Sequence, residues 1–204
     1  LEVIEREGRR VSVARRTRET DIRVVLDIDG TGQTAIETGV GFYDHLLGSL
    51  AHHGLFDLDV QATGDLHIDE HHTVEDVALV IGAAFAEALG DRAGIRRFGD
   101  SSVPMDESVA TAAIDVGGRP YAVVALPFRA ERAGTLPLQL VDHALPAVGD
   151  RLPTGARDHQ LLRAGAAQLV VPLPGGPGLG GPTRGWGLQP GPAVGTGLVP
   201  FAPL

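Results

Sequence analysis

The last 36 residues of this 204-residue chain, 169–204, hold ten glycines and eight prolines, no acidic residue and a single charge, Arg184. Such a stretch cannot bury enough apolar surface to offset the entropy of ordering it. It is expected to be irregular, with Val170, Val171 and Leu173 still available for packing but no regular element beyond Gly175. The change of character begins earlier, near Pro146. What remains is enough for one domain, or for two small halves sharing a core.

Within that part the clearest element is a helix from His71 to Leu89. Val74, Val77, Ala78, Ile81, Phe85, Ala88 and Leu89 fall near one stripe, and Gly90 closes it. Ahead of it, 11–16 alternates and 22–28 is rich in β-branched residues, which predicts two strands. Asp29-Gly30-Thr31-Gly32 is a turn signal and predicts a hairpin between 22–28 and Thr34-Ala35-Ile36. A helical pattern with Phe42, Leu46, Leu47 and Leu50 follows and is stopped by Gly54. Residues 55–62 alternate as a strand. A second cycle places strands near 109–116 and 121–126 and a helix beginning near Leu136. This mixture predicts an α+β fold with helices on one face of the sheet.

The cycle looks duplicated. Asp44-His45-Leu46-Leu47 is echoed by Asp142-His143-Ala144-Leu145, and the segment 70–75 by 157–163, in the same order. The expected organisation is a first half over 1–90, a second half over 91–168 that is degraded after about 146, and an irregular tail over 169–204.

Composition removes several function classes. The net charge of −9 argues against nucleic-acid or anionic-membrane partners. Without cysteine there are no disulfides, thiolate metal sites or cysteine nucleophiles. All 17 basic residues are arginine, which excludes Schiff-base chemistry and a P-loop lysine. Leu1-Glu2-Val3-Ile4-Glu5-Arg6-Glu7 carries no apolar signal segment, and the longest apolar stretch, near Val77 to Ala86, is too short to span a bilayer. A cytoplasmic protein is expected.

Six of the eight histidines, His45, His52, His53, His67, His71 and His72, lie within 28 positions and are interleaved with carboxylates. That pattern suits a metal site, or surface histidines that happen to lie close in sequence. At 3.6 residues per turn, His71 and Glu75 share a helix face as i,i+4 neighbours, and His72 reaches Glu75 as i,i+3. His71 and His72 themselves point about 100° apart, which favours two ions over one. Imidazole and carboxylate without thiolate suit Mn(II), Fe(II) or Zn(II). Acidic residues alone would suit a helix N-terminus, but histidine gains nothing there. The inverted zinc-protease motif is absent, because Asp76 rather than histidine follows Glu75. Arg96, Arg97 and Arg119 stand near turns, where arginines either clamp a phosphate or pair with surface carboxylates. Pro104-Met105-Asp106-Glu107 offers paired carboxylates or a turn.

Six segments occurring together and in order are more specific. They are Arg16-Thr17-Arg18-Glu19-Thr20, Thr38-Gly39-Val40-Gly41-Phe42-Tyr43-Asp44-His45, Gly64-Asp65-Leu66-His67-Ile68-Asp69, His71-His72-Thr73-Val74-Glu75-Asp76, Pro104-Met105-Asp106-Glu107 and Gly118-Arg119-Pro120. Over residues 10–145 the chain resembles imidazoleglycerol-phosphate dehydratase, the lyase of histidine biosynthesis. The resemblance implies duplicated α+β half-domains and two Mn(II) ions per site at subunit interfaces, in trimers that build a 24-subunit shell. It implies His45, His71, His72, Glu75 and His143 as metal ligands, with His159 the nearest match to a further one. Glu19 is implied as the acid–base group, with His45, His71 and Asp106 also in the catalytic set. Arg97 and Arg119 would hold the phosphate, and His53 and Asp106 would line the substrate pocket. In this chemistry the substrate's imidazole ring helps to expel the neighbouring hydroxyl as water, and Glu19 takes the C–H proton. The phosphate contacts supply orientation away from the reacting bonds.

The chain departs from the family in its C-terminal part. A second His-His-x-x-Glu and a following lysine are expected there, but the sequence reads His159-Gln160-Leu161-Leu162-Arg163, with Ala167 and Gln168 where the lysine should stand. A positive Arg163 opposes metal binding. A reading-frame shift is favoured over a divergent tail. The alternative to an active dehydratase is therefore an inactive remnant that binds metal through its first half alone.

Overall fold

The computed structural model describes residues 1–106, 108–117, 122–128 and 130–151, and these build an α+β fold. The main sheet contains β1 (Glu2–Glu7), β2 (Arg10–Arg16), β3 (Thr20–Asp27), β4 (Thr34–Glu37) and β5 (Asp57–Gly64), in the order β1-β2-β3-β5-β4. All neighbours are antiparallel except β4, which runs parallel to β5 at one edge. Register places Val13 beside Val24 and Val24 beside Val60, and likewise Val11, Leu26 and Leu58. Partners across a ladder share a face, so these six buried side chains make one apolar surface. Arg23 and Gln61 stand exposed on the other.

Two helices complete that core. α1 (Gly41–Gly54) contributes Tyr43, Leu47 and Ala51, and α2 (His71–Leu89) contributes Val74, Val77, Ala78, Ile81, Ala84 and Ala88. Burial raises the Tyr43 phenol above its usual range, with the Asp44 charge adding to it. The Tyr43 hydroxyl donates to the Val74 carbonyl, tying α1 to α2. The predicted span of α2 matches, with Gly90 at positive φ as its cap. In α1 the left-handed residue is Leu55 rather than Gly54, and its N–H is bonded back to the last turn. Among the described residues, no helix is long and apolar enough to cross a membrane.

The predicted hairpin between 22–28 and 34–36 does not form. β5 lies between β3 and β4, because its alternating Leu58 and Val60 are buried whereas β4 is short and mostly exposed. The Asp57 carboxylate at the start of β5 accepts the N–H groups of Thr31 and Gln33, which carries the connection past β5. β1 escaped the sequence reading because every residue in it is exposed.

The second half opens with an antiparallel pair, β6 (Phe98–Met105) and β7 (Ser108–Asp115). β7 was expected, and β6 was not. Of the strand expected over 121–126, the described part, 122–126, holds a single β-bridge residue, Ala125. β8 (Arg132–Ala133) pairs with β9 (Leu136–Pro137), which delays the predicted helix, α3 (Gln139–Arg151), to Gln139. α3 buries Leu140, Ala144 and Ala147 in the common core and packs on α2. His143 is the fifth residue of α3 as His45 is the fifth of α1, in keeping with the sequence echo. The second echo at 157–163 and the tail over 169–204 lie outside the described residues.

Gly64 gives a first prediction. It pairs with Thr20 across the sheet, and a Cβ there would collide with the buried Thr73 hydroxyl and touch Thr20 Cγ2 at 3.6 Å. Overpacking of this kind costs about 1–3 kcal/mol. Gly64→Ala is expected to lower the thermal midpoint by several degrees, and an unchanged midpoint contradicts this packing.

Candidate active site

The start of α2 carries three of the candidate metal ligands that the sequence singled out, His71, His72 and Glu75. The Asp69 carboxylate accepts the His71 N–H at 2.9 Å and so starts the helix. His71 Nε2 lies 3.2 Å from Glu75 Oε2, both side chains being nearly half exposed. The His143 ring, from α3, lies 5.8 Å from that of His71. The His72 ring lies 5.8 Å from that of His71 and nearly perpendicular to it, an edge-to-face arrangement.

His72 has a dedicated partner. Its Nδ1 lies 3.0 Å from Asp65 Oδ2, and the Asp65 side chain is largely buried. The hydrogen bond to Asp65 raises the affinity of His72 for a proton, with Asp65, Glu19 and Asp69 adding by charge. The same bond holds the Asp65 carboxyl below its usual range. With Nδ1–H donated to the carboxylate, the Nε2 lone pair is left for a ligand, which is how carboxylates orient metal-binding imidazoles. Asp65 Oδ1 is buried without a protein partner among the described residues.

The donor chemistry therefore fits a borderline divalent ion. Yet no group of three His, Asp or Glu side chains arranged to hold an ion occurs among the described residues. His45 lies 6.0 Å from Phe42, and His53 packs against His52 at 5.3 Å. Asp106 occupies the tip of the β6–β7 hairpin with φ of 50°. Among the described residues, no hydrogen bond, ion pair or ring contact joins His45, His53 or Asp106 to the His71 group. His159 and Arg119 lie outside the described residues.

Glu19 is exposed in the turn between β2 and β3. The Thr17 hydroxyl accepts the N–H groups of Glu19 and Thr20, a serine/threonine turn. Arg132 reaches from β8 to Glu70, just before α2, at 3.4 Å.

Arg97 stands over the Phe98 ring at 5.0 Å. It donates to both Asp115 oxygens, at 2.6 and 3.0 Å, and to the Gly117 carbonyl. Its fork is thus already engaged by protein, and a phosphate would share it with Asp115. The Arg97 hydrogen bonds hold the Asp115 carboxyl below its usual range. A carboxylate lowered on folding stabilises the protein above its unfolded pKa of about 3.9 and loses that stabilisation as pH falls through its lowered value. Asp115→Asn should therefore differ from the parent in stability above about pH 4 and converge with it in stronger acid. Equal separation of the two curves down the whole acid limb contradicts this.

Asp65 and Asp76 were not singled out as site residues from the sequence. Both stood in the quoted segments without a role of their own, Asp65 seven positions before His72 and Asp76 in the place that excluded a protease motif.

Comparison with known proteins agrees with the fold. The family model for imidazoleglycerol-phosphate dehydratase matches residues 38–154. A protein of that name from Methanococcoides burtonii is 47% identical over 163 residues, covering 76% of this chain and 85% of its own. Another, from Chloroflexus aurantiacus, is 54% identical over 140 residues, covering 69% of this chain and 68% of its own. The crystal structure of the Staphylococcus aureus enzyme superposes with a TM-score of 0.64 at 28% identity, over 78% of this chain and 82% of that one. The Pyrococcus furiosus enzyme, in complex with (S)-C348, gives 0.62 at 25% identity, over 78% of each chain.

Proposed function

The chain belongs to the imidazoleglycerol-phosphate dehydratase family, the dehydratases of histidine biosynthesis, and on that premise we propose that it converts imidazole glycerol phosphate to imidazole acetol phosphate with two Mn(II) ions. The observation that carries this reading is the first turn of α2, where His71, His72 and Glu75 present ligand atoms in two directions. When bound, Mn(II) would supply positive charge that makes the substrate's ring N–H more acidic, and the deprotonated ring is the electron-rich form that can expel the neighbouring hydroxyl. His71 and Glu75 would hold one ion, with His143 beside them. His72, oriented by Asp65, would hold the other. His45 completes the ligand set that the family implies for this part of the chain.

The remaining work falls to the chain's own groups. The exposed Glu19 carboxylate takes the proton from carbon, since nothing in the protein competes for it by hydrogen bond or ion pair among the described residues. Arg97, with Arg119, holds the phosphate and fixes the reacting carbons relative to Glu19. His53 and Asp106 lie along the pocket in this reading. The family resemblance implies sites completed between copies, in trimers and then a 24-subunit shell, and the exposure of the His71 and Glu75 side chains supports this reading. The compartment is the cytoplasm.

A second reading, an inactive remnant that binds metal through its first half, is favoured by one observation. Gln160 and Arg163 stand where the second histidine and glutamate of the family motif are expected. Growth without histidine of a bacterium deleted for its own dehydratase and supplied with this chain separates the two. Growth that is lost with Glu19→Gln supports the active enzyme. No growth with soluble, folded chain in the cells supports the remnant.

A further inference from the structure

Asp76 follows Glu75 on α2 and is buried, so its charge needs partners. It has two. Arg15 Nε of β2 donates to Oδ1 at 2.8 Å, and the Thr20 hydroxyl of β3 donates to Oδ2 at 2.5 Å. A hydroxyl has one proton. With that of Thr20 committed to Asp76, the 3.0 Å contact between the two threonine hydroxyls must run from Thr17 to Thr20. The lone pairs of Thr17 Oγ1 then receive the N–H of Glu19 at 3.1 Å and of Thr20 at 2.9 Å. The Thr17 N–H closes the turn on the Thr20 carbonyl at 2.8 Å. One directed chain thus runs from a buried carboxylate to the backbone of Glu19.

The place of its anchor matters. Asp76 and His72 are i,i+4 on α2 and share a face. The turn that carries Glu19 is thereby tied to the same side of the helix as His72, one helical turn along.

We propose that Asp76, acting through Thr20 and Thr17, is a positioning residue that holds the Glu19 turn beside the first turn of α2. The proposal rests on the reading of Glu19 as the acid–base group. A misplacement of about 1 Å costs on the order of 10²-fold in rate, so loosening this turn should lower kcat with little change in KM.

The test uses the full chain with Thr20→Val, which keeps the branched shape and removes the hydroxyl, and Thr20→Ser, which keeps the hydroxyl. Thr17→Ala, at the solvent end of the network, serves if Thr20→Val fails to fold. Amide hydrogen exchange is read at Glu19 and Thr20 against Val24 and Val60 of the sheet. The expected result is faster exchange at Glu19 and Thr20 by about tenfold or more with the sheet amides unchanged, a matching loss of kcat, and recovery of both in Thr20→Ser. Parent-like protection in Thr20→Val or Thr17→Ala overturns the network. Parent-like turnover by Glu19→Gln, or no turnover by the parent, instead overturns the reading of Glu19, and the exchange data tell the two failures apart.

Discussion

Glu19→Gln is expected to lower kcat for dehydration by about 10²–10⁴-fold, the range a positioned acid–base group supplies, while KM stays close to that of the parent. The reasoning is local. Glutamine keeps the length and the hydrogen-bonding capacity of the side chain but cannot accept a proton at neutral pH. The turn is held by Thr17 and Thr20 through backbone N–H groups rather than through the Glu19 carboxylate. The substitution should therefore leave the fold intact, and it removes an interaction made only as the proton moves. Steady-state kinetics at saturating Mn(II) check it. A kcat within a factor of about ten of the parent falls below the range for such a group and moves the proton transfer to another residue.

Ile81→Ala carries the largest expected effect on stability. Ile81 is 1% exposed and belongs to the stripe of α2 that closes the core over the sheet. Truncating such a side chain costs about 2–5 kcal/mol, from lost burial and the cavity left behind. For a chain of this size that is a fall in thermal midpoint on the order of 10 °C. Because α2 also carries His71, His72 and Glu75 at its solvent-facing start, the variant should still bind metal below its midpoint. A midpoint within a degree or two of the parent would mean that α2 does not pack in this way.

Legibility in the sequence followed the range of the interaction. α2 was readable from end to end because an amphipathic stripe and a closing glycine are local signals. The divergence of His71 and His72 was readable for the same reason, since 3.6 residues per turn fixes it. The sheet order was not, because pairing joins residues far apart, and only burial decides that β5 rather than β4 lies beside β3. β1 and β6 are exposed along their whole length, so the apolar alternation that announces a strand had no cause to be there. β6 in addition carries Gly99 and Pro104, residues that argue against a strand.

In the site, residue types were legible and partnerships were not. Arg15 and Asp76 lie 61 positions apart, and no pattern in the chain connects them. Arg97 was expected at a phosphate, but its pairing with Asp115 depends on the register of β6 against β7 and on the turn at Gly117. His45 and His143 were matched by an echo of four residues, and the fold returns them to equivalent positions on α1 and α3.

On the proposed reading this chain, with its departures near His159, still performs the family's reaction. The most direct measurement is formation of imidazole acetol phosphate from imidazole glycerol phosphate by the purified full chain, metal-free and then with added Mn(II). Turnover is expected to appear with Mn(II) and to disappear on chelation. Folded chain that forms no product at any Mn(II) concentration contradicts it.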